Sequence, residues 1–418
     1  MRHQLASEQI LASPPRAARL AVATVFVVSG VVLANWVSRI PAIQRGLGLG
    51  EGALGLALLS AAVGALVAMP VAGWLIARLG SRPVTIVSAL LYCASLPLLA
   101  LAPSVPAFVL ALGLFGAFNG AMDVAMNAQA VVVEQRYGRP IMSGFHGLWS
   151  IGGVVGAGIG GVVASLGVTP IPHLLGAAVV LGLVALVASR GLLPAGVDGG
   201  AGGPAFARPS GALIGIGLIA FCVMLGEGAM ADWGAVYLQG TLGAGPGLAA
   251  AGFGAFSLAM AAGRLAGDRL TQRFGPVALL RVGGTLAAVG LGAALLIGRP
   301  LPTLIGFACA GLGFSIGVPI AFSAAGSAPG IASGPAIAAV STVGYSGFLV
   351  GPPVIGVVAE LSSLRLALGT VVLLSVVSAL LAHSVGRAAT TGERPTRSDG
   401  EQPNVEIAAG SVAAEERG

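Results

Sequence analysis

The chain has 418 residues, 56% apolar and 9% charged, with 21 basic and 15 acidic side chains and a formal charge of +6. Apolar runs of about 20 residues recur almost throughout, which excludes a soluble core and requires a bilayer as solvent. The basic residues are spread over many separate loops, so they do not form the contiguous patch that nucleic acid would require.

Twelve membrane spans are predicted, the first six near residues 17–38, 53–77, 83–102, 106–130, 142–166 and 171–189. The second six fall near 211–239, 247–270, 276–298, 301–325, 331–358 and 364–385. In hydrocarbon each must be a helix, because only a helix satisfies its own backbone polar groups there. The first run has the look of a signal peptide, but its length, its polar end and the eleven spans behind it make it a retained helix. Residues 1–16 are a short arm, 190–210 a Gly- and Pro-rich linker expected to flex, and 386–418 a polar tail expected to be disordered.

In chain order, span one ends in Asn35, Trp36 and Arg39 just before Pro41, at the depth of the outer surface. Asn35 and Trp36 are candidates to bind a solute, and Arg39 to gate it. Span four carries Asn119, Asp123 and Asn127 at intervals of four, which stacks them on one helix face. A carboxylate at that depth costs on the order of 3 kcal/mol and calls for a partner, water or a proton. The favoured reading is a polar stripe facing a cavity, with Asp123 loading and unloading protons; a hydrogen-bonded clasp between helices is the alternative. In span five, His146 and Ser150 share a face with Trp149 beside them. A histidine there is either a satisfied structural group or a relay for the proton of Asp123.

Span five continues into Gly152, Gly156 and Gly160, and span eleven holds Gly347, Gly351 and Pro352. These are helix-packing positions, with a bend expected at Pro352. The letters GxGxxG at 156–161 and GxSxG at 313–317 have no strand before them and carry no nucleotide or hydrolase meaning. Span seven brings Glu227 near mid-depth, a further candidate for proton coupling, and Asp232 towards the outer surface. Trp233 and Tyr237 follow, four apart, as a stacking surface for a sugar or as interface anchors. An ion pair of Arg39 with Asp232 or Glu227 is predicted to close the outer mouth. Ser341 and Tyr345 in span eleven repeat the spacing of His146 and Ser150. A site drawn from spans one, four, five, seven and eleven follows.

The two sets of spans correspond at an offset of 195 residues: Gly48 answers Gly243, Arg78 and Gly80 answer Arg273 and Gly275, and Gly152 and Gly156 answer Gly347 and Gly351. Six spans per repeat is an even number, so the halves are parallel repeats. The predicted fold is an all-α membrane protein of two six-helix bundles related by a pseudo-twofold along the membrane normal, with a cavity between them. Such an architecture serves secondary transport by alternating access.

Positive charge accumulates on cytoplasmic loops. With the N terminus inside, all the arginines except Arg39, Arg45, Arg299 and Arg365 fall on the inner side, Arg264 among them. Both termini are then cytoplasmic. The chain has no lysine, its four histidines (His3, His146, His173, His383) do not cluster, and its three cysteines lie singly in different spans. A P-loop, a metal centre and a resident cofactor are therefore not expected, nor is an enzyme, and a proton gradient is the expected energy source.

Over residues 17–385 the chain resembles the major facilitator superfamily. The loop Gly73-Trp-Leu-Ile-Ala77-Arg78-Leu-Gly80-Ser-Arg82 is similar to that family's cytoplasmic signature, with Ala77 in the acidic position. Its counterpart, Gly267-Asp268-Arg269-Leu-Thr-Gln272-Arg273-Phe-Gly275, has Gln272 where a carboxylate belongs. The resemblance implies that Arg78, Arg82, Asp268, Arg269 and Arg273 gate the inner side. The stretches NWVSRIPAI, GAMDVAMNAQA, SGFHGLWSIGG and EGAMADW resemble a bacterial inner-membrane subgroup similar to the fucose:proton symporter branch. The run at 152–161 is similar to the glycine motif of antiporters, but Ala157 stands in place of its proline.

The resulting expectation is a monomeric inner-membrane porter that takes up a small polar, sugar-like solute with protons and binds neither ATP nor nucleic acid. Proton-driven export of an amphipathic compound is the second reading. A receptor that binds a solute without translocating it is the third.

Overall fold

In the computed structural model of the protein, residues 16–138, 141–194, 211–328 and 333–385 are described. The predicted N-terminal arm, most of the predicted linker and the predicted tail lie outside them. Twelve described helices are long and apolar enough to cross a bilayer. They are α1 (Arg16–Val37), α2 (Glu51–Leu79), α3 (Ser81–Leu101), α4 (Val105–Tyr137), α5 (Met142–Ser165), α6 (Pro170–Gly191), α7 (Leu213–Thr241), α8 (Pro246–Phe274), α9 (Pro276–Ile297), α10 (Pro300–Gly326), α11 (Ser333–Leu361) and α12 (Leu364–Val385). All twelve predicted spans are present. Their outward faces carry large exposed apolar side chains such as Leu110, Val289 and Leu296, which belong against lipid.

One boundary differs by about two turns. The fourth span was predicted to stop near 130, but α4 has 33 residues and runs to Tyr137. At 1.5 Å per residue it is about 50 Å long, well beyond a hydrocarbon core of about 30 Å. Hydropathy marks where the bilayer ends; Glu134, Gln135 and Arg136 are good helix formers in water and carry the helix on. Gly138 stops it with a left-handed φ of +63°. The Glu134 carboxylate then accepts from the backbone N–H groups of Ile141 and Met142, both at 2.7 Å, and so caps the start of α5.

The first residues of the predicted flexible linker are docked. Leu192 and Leu193 are buried. The Leu193 N–H donates to Gln129 Oε1 at 3.0 Å, while Gln129 Nε2 donates to Ser81 Oγ and to the Leu193 carbonyl. The two hydrogen bonds between Gln129 and Leu193 tie α4 to the end of the first half.

The internal repeat is visible in backbone angles. Helices α2 and α8 each have 29 residues and begin 195 positions apart. Gly48 and Gly243 have φ of +64° and +65°, and Gly80 and Gly275 have +81° and +78°. L-residues with a Cβ rarely adopt that region, so the turns themselves were duplicated with their glycines. Packing repeats too: Gly116 lies against the backbone of Ala61, and Gly311 against that of Phe256 at the matching offset.

Gly152 and Gly156 lie against Val27 and Val31 of α1 and Gly160 against Ser38 just after it, while Gly347 and Gly351 lie against Phe221 and Leu225 of α7. Helix α11 continues unbroken through Pro352 and Pro353. A second face of α5 was not foreseen: Gly153, Ala157 and Gly161 meet Ser257, Gly254 and Gly247 of α8 in the other half. The glycine run at 152–161 is therefore two ladders, one holding α5 within its bundle and one closing the seam between bundles.

The other seam joins α2 to α11. A Cβ on Gly55 would lie 2.6 Å from the Pro352 carbonyl oxygen and 3.0 Å from Gly356 Cα, so only glycine permits this crossing. Near it, Glu360 Oε2 accepts from the Gly52 N–H at 3.1 Å. Both seams are tight at the membrane face where α2 and α8 begin. Gly55→Val is expected to force them apart and favour the state open on that face. In a cysteine-free background with Ala62→Cys as reporter, an impermeant maleimide applied from that face should label at least ~10-fold faster. Unchanged labelling of a normally folded variant counts against the seam as a gate.

Candidate functional site

Between the bundles lies a cavity of two joined compartments, of about 270 Å³ and 380 Å³. Each is of the size that holds a small solute. The upper one reaches from α1 and α2 across to α7 and α8, with Trp36, Asn119, Asp123, Asp232, Phe256 and Ser257 on its wall. The lower one runs towards the face bearing the termini and is lined by Met142, His146, Arg264, Asp268, Thr271 and Pro319 among others. Trp149, Glu227, Tyr345 and Phe348 line both and form the waist.

At the waist Arg264 Nη2 donates to both oxygens of Glu227 at 3.3 and 3.4 Å, and Nη1 donates to Ser150 Oγ at 3.2 Å. The guanidinium carbon lies 6.0 Å from the centre of the Trp149 ring. Both charged side chains are only 13% exposed. At that burial each ion depends on the other, because a desolvated charge without its partner is far more costly than the pair. The contact also bridges the halves, since Ser150 and Trp149 belong to α5 while Glu227 and Arg264 belong to α7 and α8.

Arg264 is the site residue that the sequence reading missed. Charge counting assigned it to the inner side, whereas it lies ten positions before the end of α8, roughly 15 Å along the helix axis. The available signal was a depth argument: an arginine two turns inside a span is a functional candidate, as a buried acid is.

The Asn119, Asp123 and Asn127 stripe divides. Asn119 and Asp123 face the upper compartment. Asn127 turns back, its Nδ2 donating to the Asp123 carbonyl at 2.8 Å and to Asp123 Oδ1 at 3.1 Å. The Tyr345 hydroxyl lies beside the Asp123 carboxylate from the other half. Glu227 takes the guanidinium, so Asp123 has neutral partners and no cation beside it among the described residues. His146 lines the lower compartment, edge-on to Phe26 at 5.3 Å, and no described hydrogen bond links its ring to Asp123.

Several expected site residues lie elsewhere. Asn35 is 1% exposed; its Nδ2 donates to the Val31 carbonyl at 2.8 Å. Arg39 is also buried, and its Nε donates to His173 Nδ1 at 2.7 Å. With Nδ1 accepting, His173 Nε2 carries the proton and donates to Asn35 Oδ1 at 2.8 Å. The expected ion pair of Arg39 with Asp232 or Glu227 is therefore not formed in this structure. Arg39 bonds to the imidazole at the start of α6, and Glu227 is held by Arg264. Burial pulls the Arg39 pKa below its ordinary value, the direction expected for a cation taken out of water.

Trp233 and Tyr237 are completely buried and line neither compartment, and Ser341 lines neither. Helical spacing put the two aromatics on one face, but that face meets the core of the second bundle, where Phe307 packs on neighbouring Gly234. Tyr237→Phe is accordingly expected to leave solute affinity within about twofold of wild type by titration calorimetry; a tenfold loss would place Tyr237 back in the site. Of the expected gating residues, Asp268 lines the lower compartment, Arg78 stacks 4.2 Å over Trp74, Arg273 lies 5.2 Å from the Phe274 ring, and Arg82 donates to the Ser189 carbonyl at 3.4 Å. The only described ion pair among all these groups is that of Arg264 with Glu227.

Comparison with known proteins adds a lineage to this geometry. The model of the Major Facilitator Superfamily matches residues 20–334 and 216–413. An uncharacterised MFS-type transporter of Yersinia pestis is 40% identical over 362 residues, covering 87% of this chain and 94% of that one. Among solved structures, the inward-facing, occupied form of a bacterial homologue of the human lysosomal transporter Spinster aligns with a TM-score of 0.71 at 16% identity, covering 91% of this chain and 98% of that one. A D-xylose–proton symporter aligns with a TM-score of 0.70 at 15% identity, covering 88% and 97%.

Proposed function

The chain belongs to the Major Facilitator Superfamily, and from that premise we propose that this multi-pass membrane transporter moves a small polar, sugar-like solute together with protons by alternating access. The observation that carries the reading is the division of charge at the waist. Arg264 is committed to Glu227 and Ser150, which leaves Asp123 at the cavity wall with Asn127 and Tyr345 as its only described partners. A carboxylate with no cation beside it and with access to the cavity can take up and release a proton.

Asp123 is the proton carrier in this scheme, and Glu227 is a switch whose hold on Arg264 changes as the bundles rock. Trp36, Trp149, Asn119 and Tyr345 contact the solute, their flat faces and amide and hydroxyl groups being suited to a polyol ring. With the termini read as cytoplasmic, the tight seams at Gly55 and Gly161 support an inward-open state, in the inner membrane of a bacterium. The narrower kinship with the fucose:proton symporter branch rests on the sequence stretches alone.

Purified protein in liposomes provides the test. Counterflow of labelled hexoses, hexosamines and hexuronates is expected for at least one class, followed by accumulation driven by an inward proton gradient. Binding without exchange would make the protein a receptor, and exchange indifferent to the gradient would remove the proton.

A further inference from the structure

The charges of the cavity do not balance, and their imbalance bears on what it carries. Three carboxylates, Asp123, Glu227 and Asp232, line the upper compartment, and Asp268 lines the lower. Among the described residues the single guanidinium on these walls is that of Arg264, and it is spent on Glu227. Asp123 has two neutral partners. Asp232 has no hydrogen-bond or ion-pair partner among the described residues; it is shielded from bulk water and open to the upper compartment. Phe253, Phe256 and Trp36 line the same space, and the Trp36 ring is held in place by Phe108 and Phe115, 6.0 and 6.2 Å away.

We infer that the transported solute is an organic cation bearing a protonated amine on a polar skeleton, with Asp232 as the carboxylate that receives the ammonium group. This rests on the reading of the cavity as a solute site and narrows it. Two carboxylates lack a counter-charge, and closing the bundles over them requires that both be neutralised. One proton on Asp123 and one ammonium beside Asp232 achieve this. A neutral sugar leaves Asp232 to be neutralised by a second proton, and an anion adds negative charge to a compartment whose walls carry no free cation among the described residues. Aromatic side chains lining the same compartment can add a cation–π contribution that a neutral isostere does not receive. Hydroxyl groups on the remainder of the solute reach Asn119 and Tyr345, which are on the same wall.

The probes are solutes matched in skeleton and differing in charge: D-glucosamine, D-glucose and D-glucuronate, with ethanolamine, ethylene glycol and glycolate as a smaller set. Binding to the full-length protein is read by thermal shift and by competition in counterflow. An amine is expected to bind at least ~10-fold more tightly than its neutral and acidic counterparts. Asp232→Asn should abolish that preference while Asp232→Glu, which keeps the charge, retains it. Equal or tighter binding of the neutral or acidic member overturns the inference, as does failure of both amines to bind or an amine preference that survives Asp232→Asn in a folded variant. Counterflow of D-glucose without discrimination sinks the inference and leaves the transport reading intact; no exchange of any probe by a protein that binds it sinks the transport reading instead.

Discussion

Arg264→Ala is expected to abolish exchange, reducing it at least ~100-fold, and to destabilise the protein by about 3–5 kcal/mol, the range for stripping one partner from a buried ion pair. The cause is Glu227, which at 13% exposure would have to bear an uncompensated charge or take up a proton to shed it. Arg264→Ala combined with Glu227→Gln separates the two roles. The double variant removes both charges and is expected to recover most of the melting temperature in detergent, because the desolvation penalty disappears with the acid. Transport should not return, since the contact from α7 and α8 to Ser150 of α5 is the part that changes when the halves rock. A single variant that melts and exchanges like wild type would show that the pair is dispensable.

Asp123→Asn is expected to uncouple transport without stopping it. Asparagine keeps the size and the hydrogen bonds to Asn127 and Tyr345 but cannot carry a proton. Each unit of pH gradient supplies about 1.4 kcal/mol per proton, enough for about tenfold accumulation at one proton per solute. Wild-type liposomes should reach that ratio under a one-unit inward gradient, and Asp123→Asn should stop near unity while its counterflow persists. Accumulation by the variant at the wild-type ratio would remove Asp123 from the coupling step. Loss of both activities would make the residue structural, the clasp that its bond to Asn127 also allows.

These two experiments address residues that the sequence exposed to different degrees. Asp123 was legible because a carboxylate amid apolar residues is conspicuous, and intervals of four fixed its neighbours on the helix. Glu227 was legible for the same reason. Arg264 was hidden by the rule that orients membrane proteins, which counts arginines at loops and made no allowance for one two turns inside a span. Arg39 misled in another way: it was matched to an acid because acids lay at similar depth, while its actual partner, His173, is 134 positions away in α6 and was read as one of four scattered histidines. Trp233 and Tyr237 were placed on the correct shared face, but helical periodicity says which residues share a face and not what that face meets.

The duplication makes the distinction sharper. Glycines at turns and crossings recur at the offset of 195, in φ and in the backbones they touch. The charged groups of the cavity do not: the positions answering Asp123, Glu227, Asp232 and Arg264 are Val318, Val32, Val37 and Met69. Packing is symmetric because both halves face the same steric problem, whereas the chemistry of the cavity is built on one copy of each site.

From the sequence alone came the twelve helices, the twofold repeat, the glycine ladders and the short list of buried acids, because hydropathy, turn glycines and helical spacing are local properties that the bilayer enforces one span at a time. Tertiary structure alone decided that Glu227 pairs with Arg264, that Asp123 and Asp232 have no counter-cation among the described residues, that Arg39 turns to His173, and that the span-five glycines close a seam between bundles. Each of these depends on which face of one helix meets which face of another. That is settled by the joint packing of twelve rods, where the cost of an unpaired buried charge is weighed over all available partners at once and no single span carries the answer.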